Sequence, residues 1–244
     1  PPSNVMWLAL PSFDALMQVF AVFRARLQLQ AFEFLTDVAL KHVLAHGAQP
    51  PFAEMHPYYV VTEFASDEAN ESEALAAFEQ CMEQGLVSDG VISASDTQAA
   101  QLWRLREGIT ESLASYVPYK NDVSVRISAM PAFLQTTQAL LGKEYPQFEV
   151  VWFGHIGDGN LHINILKPPA MAQADFVADC ERVTKLLAQV LEAHGGSISA
   201  EHGIGLVKKP YLECTRSSEE IALMRGIKAV LDPKGILNPG KVFD

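Results

Sequence analysis

The chain reads as an α+β protein in which an antiparallel sheet is covered by helices, built from two ferredoxin-like strand-helix-strand units. Its 244 residues are 49% hydrophobic and 19% charged, the range of a folded chain with a sizeable core. Short apolar or β-branched runs alternate with longer segments of helical spacing, and this grammar occurs twice. The strand runs are joined by hairpins rather than by regular βαβ crossovers, which favours antiparallel pairing with helices on one side.

Taken in order, Val5 to Leu10 is a short apolar strand, and Ser12-Phe13-Asp14 opens a helix over about Ala15 to Leu27. Ala31 to Leu35 is a second strand and Val38 to Ala45 a short helix. Gly47 to Pro57 is a Pro-rich loop before the strand Tyr58 to Ala65. Glu71 to Gln84 has helical spacing, Val87 to Ala94 is a strand, and Thr97 to Ser115 carries Leu102, Leu105, Ile109 and Leu113 on one helical stripe. The second unit runs through the strand Asp122 to Ile127, a helix from Met130 to Leu141, and paired strands at Phe148 to His155 and Leu161 to Leu166. A helix from Asp175 to Ala193 ends at Gly195-Gly196. A brief strand at Ser197 to Ser199 follows, and Ser217 with Glu220 makes a capping box for a helix to Val230. The two units share grammar without a detectable sequence repeat.

The formal charge is 18 minus 29, or −11, with no cluster of Lys and Arg, so the electrostatic footprint of a nucleic-acid binder is missing. Cys81, Cys180 and Cys214 are odd in number and far apart, which suits reduced thiols and a cytoplasmic setting. No apolar run has the length of a membrane span.

The densest chemical signal is Phe153-Gly154-His155-Ile156-Gly157-Asp158-Gly159-Asn160-Leu161-His162-Ile163-Asn164. A two-residue turn at Asp158-Gly159 would set His155 directly opposite His162, on one face with Asn164, close enough to share a metal ion. Two surface histidines beside a turn are the plain alternative. Farther on, Gly196-Ser197-Ile198-Ser199-Ala200-Glu201-His202-Gly203-Ile204-Gly205 offers a carboxylate and a third imidazole. If the glycines bend the backbone there, Glu201 completes a two-His, one-carboxylate site suited to Zn, Mn or Fe(II), and His202 is left as a free base. A Gly-rich surface loop explains the same residues. Arg106 and Thr110 lie at i and i+4 on the long helix, and Lys120 opens the next strand. Together they could hold a carboxylate, or Arg106 could pair with Glu107 or Glu111 at the surface. Dinucleotide, P-loop, nucleophile-elbow and HExxH motifs are absent.

At LREGIT (105–110), YKNDVSV (119–125), FGHIGDGNLHINI (153–165), GSISAEHGIGLVKK (196–209) and LDPKGILNPGKV (231–242), the chain resembles the C-terminal, substrate-binding half of FAD-linked oxidases of the vanillyl-alcohol oxidase type. Within these it is most similar to the branch oxidising D-2-hydroxy acids, which includes D-2-hydroxyglutarate and D-lactate dehydrogenases and the glycolate oxidase flavoprotein subunit. The resemblance implies a single C-terminal domain over residues 1–244, with the FAD-binding domain absent. It implies His155, His162 and Glu201 as ligands of a divalent metal, usually zinc or manganese, and His202 as general base. Arg106, Thr110 and Lys120 would bind substrate carboxylate, Asn164 would orient the substrate, and Asn238 would lie near the flavin. Asn121 stands where the nearest dehydrogenases usually carry Tyr.

The chain opens Pro1-Pro2-Ser3-Asn4 without Met, as a fragment would. As a fragment it is expected to be inactive alone and to expose an apolar face through which a homodimer could form. A self-contained two-His-one-carboxylate metalloenzyme and a non-catalytic metal-binding module remain alternative readings of the same residues.

Overall fold

The run SNVMWLAL forms strand β1 (Ser3–Leu10), and its alternate side chains enter two different cores: Met6, Leu8 and Leu10 one, Val5, Trp7 and Ala9 the other. A strand buried on both faces reads as a continuous apolar stretch, which is how it looks in sequence. The computed structural model describes residues 3–244. After β1 come α1 (Phe13–Arg26), β2 (Leu29–Thr36), α2 (Asp37–Ala45), β3 (Tyr58–Ala65), α3 (Glu68–Glu83), β4 (Asp89–Ile92) and α4 (Asp96–Ser112). The second half contains β5 (Tyr119–Ser124), α5 (Met130–Glu144), β6 (Glu149–His155), β7 (Asn160–Leu166), α6 (Gln173–Ala193) and α7 (Ser218–Leu231).

Helix starts follow the local chemistry. Ser12, Asp67, Ser95 and Ser217 each accept a backbone N–H at the N-cap, and Ser217 with Glu220 forms the full capping box. Gly195, with φ of +62°, closes α6 in the left-handed conformation that glycine allows.

The strands make one seven-stranded sheet in the order β4-β1-β3-β2-β6-β7-β5, and its neighbouring pairs are antiparallel. The order β4-β1-β3-β2 is that of a ferredoxin-like unit with α2 inserted between its second and third strands. The second unit repeats it as β5, α5, β6, β7, α6 and a fourth strand reduced to a single bridge between Ser197 and Ser124. The brief strand expected at Ser197 to Ser199 is therefore only that bridge. The units join edge to edge through β2 and β6.

Helices α1, α3, α5 and α6 contribute to the larger core on one face. Contrary to the expectation of one covered side, α2 and α4 pack together on the opposite face, against Trp7, Leu35, Tyr59, Val61 and Val151. They shield the first unit there, while on the same face of β5 the loop after α6, rather than these helices, meets the sheet at Asp122. No described helix is long and apolar enough to cross a membrane.

Beyond α7 the tail is organised by Asp232, whose carboxylate accepts from Lys228 Nζ at 2.8 Å and from the N–H groups of Ile236 and Leu237 at 3.0 and 2.9 Å. The Lys228 contact first, then the two amides, hold this carboxyl below the usual range. A carboxyl lowered on folding stabilises fully above its unfolded pKa and loses that contribution as pH falls through the folded value. Acidification below about pH 4 is expected to expose the Ile236 and Leu237 amides to hydrogen exchange while sheet amides stay protected. Asp232→Ala should do the same at neutral pH.

Candidate active site

The hairpin of β6 and β7 supplies both candidate histidine ligands, but in a register other than the one expected. Gly154 faces Leu161, Phe153 faces His162, and His155 faces Asn160. A two-residue turn of the expected kind needs positive φ at both central residues. Here Gly159 takes it, at +71°, and Asp158 does not; the connection is Ile156 to Gly159, with Ile156 fully buried. The offset shifts each strand by one residue, so the sum moves by two and the face is preserved. His155 and His162 are thus diagonal rather than direct neighbours, with ring centroids 5.3 Å apart, and Asn160 and Asn164 share their face. The hairpin is tight at Gly154, where a Cβ would stand 2.3 Å from the Asn160 carbonyl oxygen. Gly154→Ala is expected to cost about 1–3 kcal/mol, read as a lowered melting temperature, and to displace the adjacent His155.

Glu201 reaches the histidines from the loop after α6. Its Oε1 lies 3.3 Å from His155 Nε2 and accepts a hydrogen bond from Asn160 Nδ2. The backbone bend that this requires has a partner the sequence did not reveal. Asp122, with its side chain wholly buried on β5 directly opposite His162, accepts the N–H groups of Glu201 and His202 at 2.8 and 2.9 Å through one oxygen. Gly203 and Gly205 follow with φ of +76° and +55°, as the expected bend needs. The second oxygen, Asp122 Oδ1, is buried without a hydrogen-bond partner among the described residues and lies 3.7 Å from His162 Nδ1. The His202 ring stacks near that of His162, with centroids 6.0 Å apart.

Two groups of metal-ligating atoms result, each within 4.8 Å: His155, His162 and Glu201, and Asp122, His162 and His202. They share His162. Burial lowers the His162 pKa to about 4, so its imidazole is neutral at pH 7, the form a metal requires. The hydrogen bond that His155 donates to the Glu33 carboxylate raises its pKa, against a lowering by burial. Burial pushes the Asp122 carboxyl up, but the amides of His202 and Glu201 more than offset it and leave the group below its usual range.

Arg106 projects from α4 and is 8% exposed. Its partner is neither Glu107 nor Glu111 but Glu33 on β2, with Nη2 to Oε2 at 3.0 Å. The guanidinium lies 4.9 Å over the Phe153 ring, which in turn is 4.9 Å from the His162 ring. Lys120 stands opposite Asn164 across β5 and β7, on the face of His162; Asn164 is buried and Lys120 exposed. Thr110, one turn beyond Arg106, is exposed. Asn238 takes positive φ in the tail and accepts from Lys241 at 3.1 Å, and the tail touches the site loop where Val242 N–H donates to the Gly205 carbonyl.

The fold thus gathers His155, His162, Glu201, His202 and Arg106. Sequence reasoning missed Glu33, Asp122 and Asn160 as parts of the site. A lone charge inside the apolar run Ala31 to Leu35 was the available signal for Glu33.

The chain is a ferredoxin-like pair with a carboxylate-and-imidazole cluster where the loop after α6 meets the β6–β7 hairpin. It matches FAD linked oxidases, C-terminal domain, over residues 1–242, and belongs to that family. It is 78% identical over its whole length to D-2-hydroxyglutarate dehydrogenase of Xanthomonas citri pv. viticola, covering 52% of that protein. It is 50% identical over 99% of its length to D-2-hydroxyglutarate dehydrogenase of Stutzerimonas stutzeri, covering 53%. The chain therefore spans about half the length of these relatives. Among solved structures, p-cresol methylhydroxylase with substrate bound shares the fold at TM-score 0.71 and 11% identity, covering the whole chain and 53% of that structure. The 4-ethylphenol oxidase of Gulosibacter chungangensis does so at TM-score 0.69 and 15% identity, covering the whole chain and 54% of that structure.

Proposed function

We propose that this chain is the metal- and substrate-binding half of a flavin-dependent dehydrogenase that oxidises a D-2-hydroxy acid to the 2-oxo acid, with D-2-hydroxyglutarate the first substrate to test. The observation that carries this reading is the His155, His162, Glu201 cluster beside the buried Arg106. The names of the relatives support the substrate. Two imidazoles and a carboxylate, with a buried unpaired carboxylate oxygen behind them, suit zinc or manganese. When bound, the divalent ion supplies Lewis-acid polarisation of the C2 hydroxyl, and FAD, held mainly by the remainder of the longer protein, supplies the hydride acceptor.

The chain's own residues do the rest. His202 takes the hydroxyl proton on an imidazole nitrogen. Arg106, Thr110 and Lys120 bind a substrate carboxylate and so present one face of C2. Asn164 orients the substrate and Asn238 flanks the flavin. On α7, Leu223, Ile227, Val230 and Leu231 are exposed, which supports packing against the flavin-binding portion, and self-association into a homodimer when that portion is missing. The three free cysteines support the cytoplasm as compartment.

The test uses the full-length protein reconstituted with FAD. Anaerobic mixing with D-2-hydroxyglutarate should bleach the flavin absorbance, and the L enantiomer should not. Chelation should abolish the bleaching, and zinc or manganese should restore it. Turnover by the present chain without flavin would replace this reading with a self-contained metalloenzyme, and metal binding without any 2-hydroxy-acid oxidation by the full protein would leave a binding module.

A further inference from the structure

Glu33 occupies the seam between the two ferredoxin-like units, directly opposite His155 across β2 and β6. It is 7% exposed. A single oxygen of it, Oε2, lies 2.6 Å from His155 Nδ1 and 3.0 Å from Arg106 Nη2. Pairing buried Arg106 accounts for one contact of this carboxylate, and the contact to His155 is additional. The double contact points to a second task.

A carboxylate at Nδ1 accepts that N–H and fixes the tautomer, which leaves the lone pair on Nε2. Nε2 is the nitrogen that faces Glu201, 3.3 Å away. The same oxygen engages Nη2 of the guanidinium, which lies over the Phe153 ring, so the planar group is held in one orientation. We propose that Glu33 is a positioning residue that orients His155 for the metal and Arg106 for the substrate carboxylate, joining the two halves of the site through one oxygen. This assignment rests on the function proposed above. Aspartate would be one methylene too short to reach both partners, and the glutamine amide oxygen, which could still accept from both, is uncharged and would hold the imidazole and the guanidinium more weakly.

The experiment uses the full-length FAD protein as wild type, Glu33→Gln, Glu33→Asp and His162→Ala. Zinc dissociation constants are measured by competition with a chromophoric chelator, and KM and kcat for D-2-hydroxyglutarate are measured at saturating zinc. Glu33→Gln should weaken zinc binding by about 10- to 100-fold and, with zinc saturating, still raise KM about tenfold. Glu33→Asp should fall between it and wild type. A lowered melting temperature with wild-type zinc affinity and wild-type KM would make Glu33 a structural ion-pair partner only and overturn the assignment. Should Glu33→Gln not fold, the Glu33→Gln/Arg106→Met pair removes both buried charges and reports the metal half. Weakened zinc binding there supports the proposal, and wild-type zinc binding overturns it. A wild-type protein with no zinc that His162→Ala removes would overturn the proposed metal function and this assignment with it, whereas zinc lost in His162→Ala but unaffected by Glu33→Gln overturns this assignment alone.

Discussion

On the function proposed above, replacing His162 with alanine is expected to abolish divalent-metal binding by the full-length protein and to lower kcat/KM for D-2-hydroxyglutarate by about a thousandfold or more. His162 is the common member of both metal-ligating clusters, so its loss disables either arrangement. Its neutral imidazole, with a pKa lowered to about 4 by burial, needs no proton displaced at neutral pH before it can bind. Single variants then distinguish the two clusters. With the ion on His155, His162 and Glu201, Glu201→Gln should release metal, whereas His202→Ala should retain it and lower kcat by roughly 10² to 10⁴ through loss of the base. The reverse pattern, metal kept in Glu201→Gln and lost in His202→Ala, would put the ion on Asp122, His162 and His202 and remove His202 from the role of base. Elemental analysis of the purified variants, alongside steady-state kinetics, decides the matter.

Arg106→Met should raise KM for D-2-hydroxyglutarate by about a hundredfold and destabilise the fold by about 3–5 kcal/mol. The two effects have different origins. The KM effect follows, on the proposed role of Arg106, from loss of the bidentate fork that would meet a substrate carboxylate. The stability effect arises because Glu33 would keep a charge in a buried seam with only His155 beside it. Burial itself pulls the Arg106 guanidinium below the usual arginine range, and the Glu33 carboxylate acts against that. At roughly 2–4 °C per kcal/mol for a chain of this size, the melting temperature should drop by about 10 °C. Arg106→Lys should recover most of the stability but little of the KM, because an ammonium keeps the charge without the planar fork. Destabilisation with an unchanged KM would make Arg106 a structural partner of Glu33 and no more.

Both predictions turn on contacts of unequal visibility in the sequence. The starts of α1 and α7 were legible because Ser12 and Ser217 at the N-cap act on amides a few residues away, whereas α3 and α4, capped by Asp67 and Ser95, begin at Glu68 and Asp96, ahead of the Glu71 and Thr97 that apolar spacing suggested. The shared face of His155, His162 and Asn164 was legible for a similar reason, since side chains alternate along a strand with a period of two. The hairpin register was not, because Asp158-Gly159 permits a two-residue turn without requiring one, and the chain takes a longer connection in which Ile156 is buried. The second unit's fourth strand shrank to one bridge because pairing depends on where the neighbouring backbone runs.

By itself, then, the order of residues determined the ferredoxin-like grammar, the caps, and the face on which the hairpin imidazoles stand, all consequences of forces acting within a few residues. Only the tertiary structure decided that Glu33 would sit beneath His155 and Arg106, that Asp122 would bend the Glu201-His202 loop toward them, and that α2 and α4 would stop short of β7 and β5. Those outcomes depend on strand order and on buried carboxylates finding donors 73 to 80 residues away. A buried charge must be satisfied by whatever the folded sheet brings within reach, and that requirement leaves no periodic mark in the chain.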